Sequence, residues 1–354
     1  MPTRDAAPPT PPHRAEATAR WVRRWLVGLL AASYVLAAAA PAAGVWMAGL
    51  GADAAGDPTA MRFSLVMVGV LLVCGAMAVD VVKLRELPER PLSLLIALAG
   101  VWGPPLVVVG LWGVLAPAWL TAGDAAALAV GLALAGAMPV ANSAVAWTHQ
   151  SGGSLVWALG LVVLSICLCP WVTPALLRLM GLTLTGSSAA AADLLVSRFT
   201  GAIFLVWVLG PTLLGFAIRA VAGARRVAAI TPWLTIVSAV SLLLLNYANA
   251  ATALPKVFAE SHWALLATTV IAAATLPLAG ALPAWPASAL AGVSRRGRIA
   301  WAYSLGMKNT GLALGLAGAT LGDQPVAVLA ILAVTLTQHM VAGGVHAWVA
   351  RSAE

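Results

Sequence analysis

The chain has 354 residues, of which 61% are hydrophobic and only 9% charged. That balance excludes a water-soluble globular domain and fits an all-α polytopic membrane protein. The formal net charge of +8 would suit a nucleic-acid binder, but the basic residues form no stripe with interleaved aromatics. They sit in short clusters between apolar runs, so no nucleic-acid partner is expected.

Residues 1–22, rich in Pro, Ala, Thr and Arg without apolar periodicity, are expected to form a disordered cytoplasmic tail ahead of a membrane domain over 23–354. Arg23 and Arg24 followed by the apolar run Trp25–Trp46 have the outline of a secretory leader, with a cleavage-like end at Ala37–Ala43. The run is long enough to span, however, and nothing downstream reads as a secreted domain. It is therefore the first span.

Windows of about 20 apolar residues give ten expected transmembrane helices: 25–46, 63–83, 92–115, 126–147, 155–177, 197–218, 232–254, 263–284, 299–318 and 326–348. Trp25, Trp46, Trp119, Trp171, Trp233, Trp263, Trp285 and Trp348 fall near span ends, as an interfacial belt would place them. Cys74, Cys167 and Cys169 lie inside apolar segments and read as small buried hydrophobes. No disulfide, metal site or cofactor is expected.

With the N-terminus inside, Arg4, Arg14, Arg20, Arg23, Arg24, Lys83, Arg85, Arg90, Arg219, Arg225, Arg226, Arg295, Arg296, Arg298 and Arg351 fall on the cytoplasmic side. Only Arg62, Arg178, Arg198 and Lys256 fall outside. Fifteen against four is a strong bias and puts both termini in the cytoplasm, in the inner membrane of the cell.

Ten spans divide into two sets of five, about 25–177 and 197–348, and an odd number per set inverts the second repeat. The fourth span holds Met138-Pro139-Val140-Ala141-Asn142-Ser143, and the ninth holds Gly306-Met307-Lys308-Asn309-Thr310-Gly311. Paired interruptions in matching helices of inverted halves point to a transport site, with the two broken helices crossing at mid-membrane. Pro139, Gly306 and Gly311 read as the devices that break the helices. A lysine in the middle of a span marks a functional site by default, so Lys308 leads the candidates. Asn142, Ser143, Asn309 and Thr310 are the other polar groups at the breaks. Interhelical hydrogen bonding or helix capping accounts for them as readily as substrate contact.

These stretches resemble the bile acid:sodium symporter family. GMKNTGLALGLAG is similar to that family's Gly-Met-Gln-Asn-Ser/Gly-Gly-Leu-Ala motif, and PVANSAVAW to its Asn-containing fourth-span segment. Pro170 matches the proline that ends the next span, and QHMVAG from Gln338 resembles the last span's Trp-His-Asn-x-x-Gly. KLRELPERP resembles the first cytoplasmic loop. The likeness runs from about residue 63 onward and raises His339 as a cavity residue or proton carrier.

The departures bear on coupling. Sodium-coupled relatives carry a Glu four residues before the motif's Gln; here those positions are Ser304 and Lys308. The fourth-span pair is reversed as Asn142-Ser143, hydroxyl positions on the fifth span become Ala158 and Val162, and a third-span Gln becomes Ala99. Sodium needs oxygen ligands and partial neutralisation of its charge, and an ammonium repels it. Sodium is therefore disfavoured as a partner, and proton coupling through Lys308 stays open.

The reading is a secondary transporter for a small organic anion, with Lys308 replacing the coupling cations. A sodium-coupled bile-acid-type or organic-acid symporter is the alternative within the family. An arsenite-type carrier would need a fourth-span cysteine, and none lies between Cys74 and Cys167. Outside transport, a non-transporting membrane sensor or scaffold stays open. An enzyme is not expected, because no nucleophile–base pair, metal-ligand set or mid-span carboxylate pair occurs.

Overall fold

The structure is a computed structural model and describes residues 13–51, 61–79, 91–181, 193, 196–197, 204–260, 263–321 and 323–352. Residues 1–12, Asp80, the loop of Lys83, Arg85 and Arg90, and residues 198–203 lie outside the described residues.

Twelve α-helices make up the described fold. They are α1 (His13–Ala39), α2 (Ala42–Gly49), α3 (Phe63–Ala78), α4 (Pro91–Leu115), α5 (Ala122–Ala137), α6 (Ser143–Gln150), α7 (Leu155–Gly181), α8 (Gly210–Glu260), α9 (Trp263–Leu290), α10 (Arg295–Gly306), α11 (Thr310–Thr320) and α12 (Pro325–Arg351). Among the described residues, six stretches are long and apolar enough to cross a membrane: Arg14–Ala39, Pro91–Ala118, Leu155–Gly181, Leu205–Ala259, Trp263–Leu290 and Pro325–Arg351. Helices α3, α5 and α11 are shorter apolar helices.

Two boundaries differ from the sequence reading. α1 starts at His13, so residues 13–22 are helical rather than part of a tail, and Ala15 and Ala19 on that stretch are buried. The sequence hides this helix because its polar face, with Arg14, Glu16, Arg20 and Arg23, masks a narrow alanine stripe. The run 25–46 is also not one helix: α1 ends at Ala39 and α2 begins at Ala42. Pro41, which has no N–H to continue the ladder, sits at that joint.

Within α8 the backbone leaves helical geometry at Gly223 (φ 79°, ψ 155°). This positive-φ turn, natural to glycine, makes the stretch two helices joined end to end. A π-helical turn, Leu205–Leu209, precedes it.

Helices α1, α2 and α3 pack on α8, while α4–α7 and α9–α12 pack among themselves. The two groups meet where α3 and α8 cover α11 and where α8 lies along α12. Small residues set this seam. A Cβ at Gly315 would press on Val68 and Ser64, and one at Gly318 on Ser64 and Asn249. Lipid tails are as apolar as leucine, so close van der Waals contact through small residues is what holds such helices together. Polar ties add to it: Tyr34 Oη lies 2.7 Å from Asn246 Oδ1 and 3.0 Å from the Leu332 carbonyl. Arg62 donates to the Ala319 carbonyl at 2.8 Å. Trp25, Trp46, Trp119, Trp171, Trp233, Trp263 and Trp348 are all exposed on the surface.

Candidate functional site

The first helix break follows α5. Thr121 caps that helix by accepting the Asp124 N–H at 3.1 Å. It ends where Met138 turns extended (φ −67°, ψ 152°) and Pro139 has no N–H to offer. Helix resumes at Ser143. The second break follows α10: Met307 is extended (φ −118°, ψ 120°), and α11 restarts when the Asn309 side chain accepts the Leu312 N–H at 3.1 Å.

The two breaks pair with each other. Val140 and Lys308 form an antiparallel bridge, flanked by Asn309 N–H donating to Pro139 C=O at 2.9 Å and Ala141 N–H donating to Met307 C=O at 3.0 Å. In this register the N–H groups of Val140 and Lys308 point away from each other. Each finds a side chain on the long helix that follows its break. Val140 N–H donates to Ser165 Oγ of α7 at 3.0 Å, and Lys308 N–H to Gln338 Oε1 of α12 at 2.9 Å. Gln338 Nε2 donates onward to Thr310 Oγ1 at 3.1 Å. The Ala137 carbonyl at the end of α5 accepts from Trp102 Nε1 at 3.2 Å and from Thr173 Oγ1 at 2.7 Å. Buried backbone groups without partners would cost several kcal/mol in hydrocarbon, so this accounting is what lets non-helical chain persist there.

The Lys308 side chain is buried, 3% exposed. Its Nζ donates to the Val101 carbonyl of α4. Among the described residues no carboxylate pairs with it, and the sequence places no Asp or Glu in the interior of an expected span. The C-terminal ends of α5 and α10 and the N-terminal ends of α6 and α11 all lie within three residues of the bridge. Helix C-termini favour a cation and N-termini an anion, so helix ends of both polarities flank the bridge.

The remaining predicted residues are placed as follows. Asn142 precedes α6 without capping it, and its amide lies against Gly75 of α3. Ser143 opens α6 and is half-buried, whereas Thr310 is buried and held by Gln338. Ser304 is fully buried one turn before Lys308, its hydroxyl without a partner among the described residues. His339 is buried with Nδ1 2.8 Å from the Thr335 carbonyl of its own helix, and among the described residues no hydrogen bond joins it to the bridge. Gly306 is the last residue of α10 and Gly311 the second of α11, so both flank the break, but both keep ordinary negative φ and neither is used there for its backbone freedom. They act by close approach instead: a Cβ at Gly306 would sit 2.9 Å from Ala281 Cβ, and one at Gly311 3.1 Å from Leu71 Cδ1.

The bridge thus joins Pro139, Lys308, Asn309 and Thr310, with Asn142 beside them. Sequence reasoning missed Val101, Ser165 and Gln338. The signal for Gln338 was its place next to His339 in QHMVAG, and the signal for Val101 was Pro104-Pro105 in α4.

The sequence model of the SBF-like CPA transporter family matches residues 24–346. No curated protein matches the chain. With its apolar helices and this match over most of its length, the chain is a multi-pass membrane protein that belongs to the SBF-like CPA transporter family, a relative of the bile acid:sodium symporters.

Proposed function

We propose that the chain is a secondary transporter of a small organic anion, working by alternating access without sodium. The observation that carries this reading is the buried Lys308 ammonium, which holds the Val101 carbonyl with no carboxylate beside it among the described residues. A sodium-coupled relative, with one buried Glu and two bound ions, has a local charge of +1. Neutral Ser304 with protonated Lys308 carries the same +1 and needs no ion. A fixed cation beside two helix N-termini attracts an anionic substrate and repels sodium.

In this reading residues 23–354 form ten spans in two inverted repeats, about 25–177 and 197–348, with both termini in the cytoplasm. Asn142, Ser143, Lys308, Asn309, Thr310 and His339 meet the substrate at the breaks. The half-buried Asn142 amide supports this, because it is not spent on capping and lies at the seam between the two helix groups.

The test is uptake of carboxylates and sulfonates into proteoliposomes, with choline replacing sodium and pH varied. Uptake should persist in choline and fall at least about tenfold in Lys308→Gln, the loss expected when about 1.4 kcal/mol of charge-assisted binding goes. Dependence on sodium, or normal uptake by Lys308→Gln at every pH, overturns the reading. A proton-coupled cycle would show as uptake driven by a pH gradient and lost with the lysine. No uptake of any anion would return the sensor or scaffold alternative.

A further inference from the structure

Helix α4 carries two consecutive prolines in its interior, Pro104 and Pro105. Each helical carbonyl accepts from the N–H four residues on, so Pro105 removes the partner of Val101 and Pro104 that of Gly100. Val101 is fully buried. Its carbonyl, left without a donor in a membrane interior, would be a costly unpaired acceptor. The group that takes it is the Lys308 ammonium. The ammonium is in the same position: buried, with three donors to satisfy and no acid paired with it among the described residues. Two groups that are each costly alone satisfy one another.

We propose that Pro105 is the positioning residue for Lys308: by withholding its N–H it keeps the Val101 carbonyl open as a socket for the ammonium, and so fixes the charge beside the paired helix breaks. The Pro105 ring has a second role, in packing. It lies on Gly136 of α5, where an added Cβ would come within 2.9 Å of Pro105 Cβ. Losing the ring therefore weakens the α4–α5 contact whatever the lysine does. Pro104, one residue earlier, frees a different carbonyl and serves as an internal control. The consequence for transport rests on the proposed function above; the pairing itself does not.

The test is a thermal-unfolding cycle on the detergent-solubilised full chain: wild type, Pro105→Ala, Lys308→Met, and the double variant. Alanine supplies the missing N–H. With the lysine present, that N–H competes for the Val101 carbonyl, evicts the ammonium and lowers Tm. In the Lys308→Met background, the same N–H closes on a carbonyl that would otherwise be orphaned. The loss of the ring is common to both backgrounds and cancels. Pro105→Ala should therefore lower Tm by several degrees in the wild-type background and by much less, or not at all, in Lys308→Met. Pro104→Ala should shift Tm equally in both. If Pro105→Ala yields folded protein only with Lys308→Met, that asymmetry is the expected result. If it fails in both, Pro105→Gly, which also restores the N–H, is run through the same cycle. Equal shifts in the two backgrounds, or a Pro104→Ala coupling as large as that of Pro105→Ala, overturn the proposal. Because the cycle reads unfolding alone, a chain that transports no anion would sink the proposed function and leave this result standing. Where uptake is measurable, Pro105→Ala should reduce it toward the Lys308→Met level, and the double variant should fall no further.

Discussion

Ser165 and Gln338 occupy corresponding places: each sits on the long helix next in the chain after a broken pair and accepts the one bridge N–H that the opposite strand cannot reach. The two differ in how much they hold. Ser165 passes its own proton to the Val162 carbonyl within α7, so it ties one backbone N–H to one helix. Gln338 ties Lys308 N–H and the Thr310 hydroxyl together.

This difference predicts an order of damage. Gln338→Leu orphans two buried polar groups and Ser165→Ala one, at about 1–3 kcal/mol for each group left unpaired. Thermal unfolding should rank Gln338→Leu as the less stable of the two. Equal losses in the two variants would show that the Gln338–Thr310 contact adds no stability.

The bridge is only half legible in the chain. Pro139 announces that α5 cannot continue, since it has no N–H, and a lysine between glycines is conspicuous among apolar residues. Their partners leave no such trace. A backbone carbonyl such as Val101 has no side-chain signature, and a serine or glutamine inside a span is indistinguishable from one that bonds its own helix. Gly306 and Gly311 flank the second break, but what each glycine is for stays hidden in the sequence for a related reason. Sequence reports that a side chain is missing, and only the neighbours Ala281 and Leu71 reveal whether the space or the backbone freedom is used. The alanine stripe at the start of α1 is hidden because alanines at helical spacing among arginines carry little hydrophobic contrast.

Gly75 and Asn142 give a second prediction. A methyl group at residue 75 would overlap the Asn142 amide, and overpacking of this kind costs about 1–3 kcal/mol. Gly75→Ala should lower Tm and reduce uptake about tenfold, the change that about 1.4 kcal/mol produces. Adding Asn142→Ala should restore Tm but not uptake, if the amide meets the substrate. Full recovery of uptake in the double variant would confine Asn142 to packing.

Arg62 precedes α3 and donates to the Ala319 carbonyl at 2.8 Å in the last turn of α11. A cation at a helix C-terminus is worth about 0.3–1 kcal/mol, and this one bridges the two helix groups. Arg62→Gln should loosen that end of the seam. In a chain with its three cysteines replaced, the buried Ser64 changed to Cys should react several-fold faster with a membrane-impermeant thiol reagent once Arg62→Gln is added. An unchanged rate would mean that Arg62 does not hold that end of the seam.

Topology supplies the last prediction. On the proposed topology, Arg225 and Arg295 face the cytoplasm and Trp119 the outside. Single cysteines at 225 and 295 should be labelled from the cytoplasmic side only, and a cysteine at 119 from the opposite side. Labelling of residue 225 only from outside would invert the assignment.

The Lys308 contact also constrains how the chain enters the bilayer. Residues 295–320 open with Arg295, Arg296 and Arg298 and carry Lys308 near their middle. A lysine facing lipid at mid-helix costs about 3 kcal/mol, so this segment is a poor candidate for partitioning into the membrane alone. Its relief is the Val101 carbonyl, on a helix made roughly 200 residues earlier in synthesis. The expected route for this segment is therefore into the company of α4 rather than into lipid. Assembly of the bundle and insertion of residues 295–320 are then coupled, and a nascent chain cut before Lys308 would lack the group that closes the α4 carbonyl.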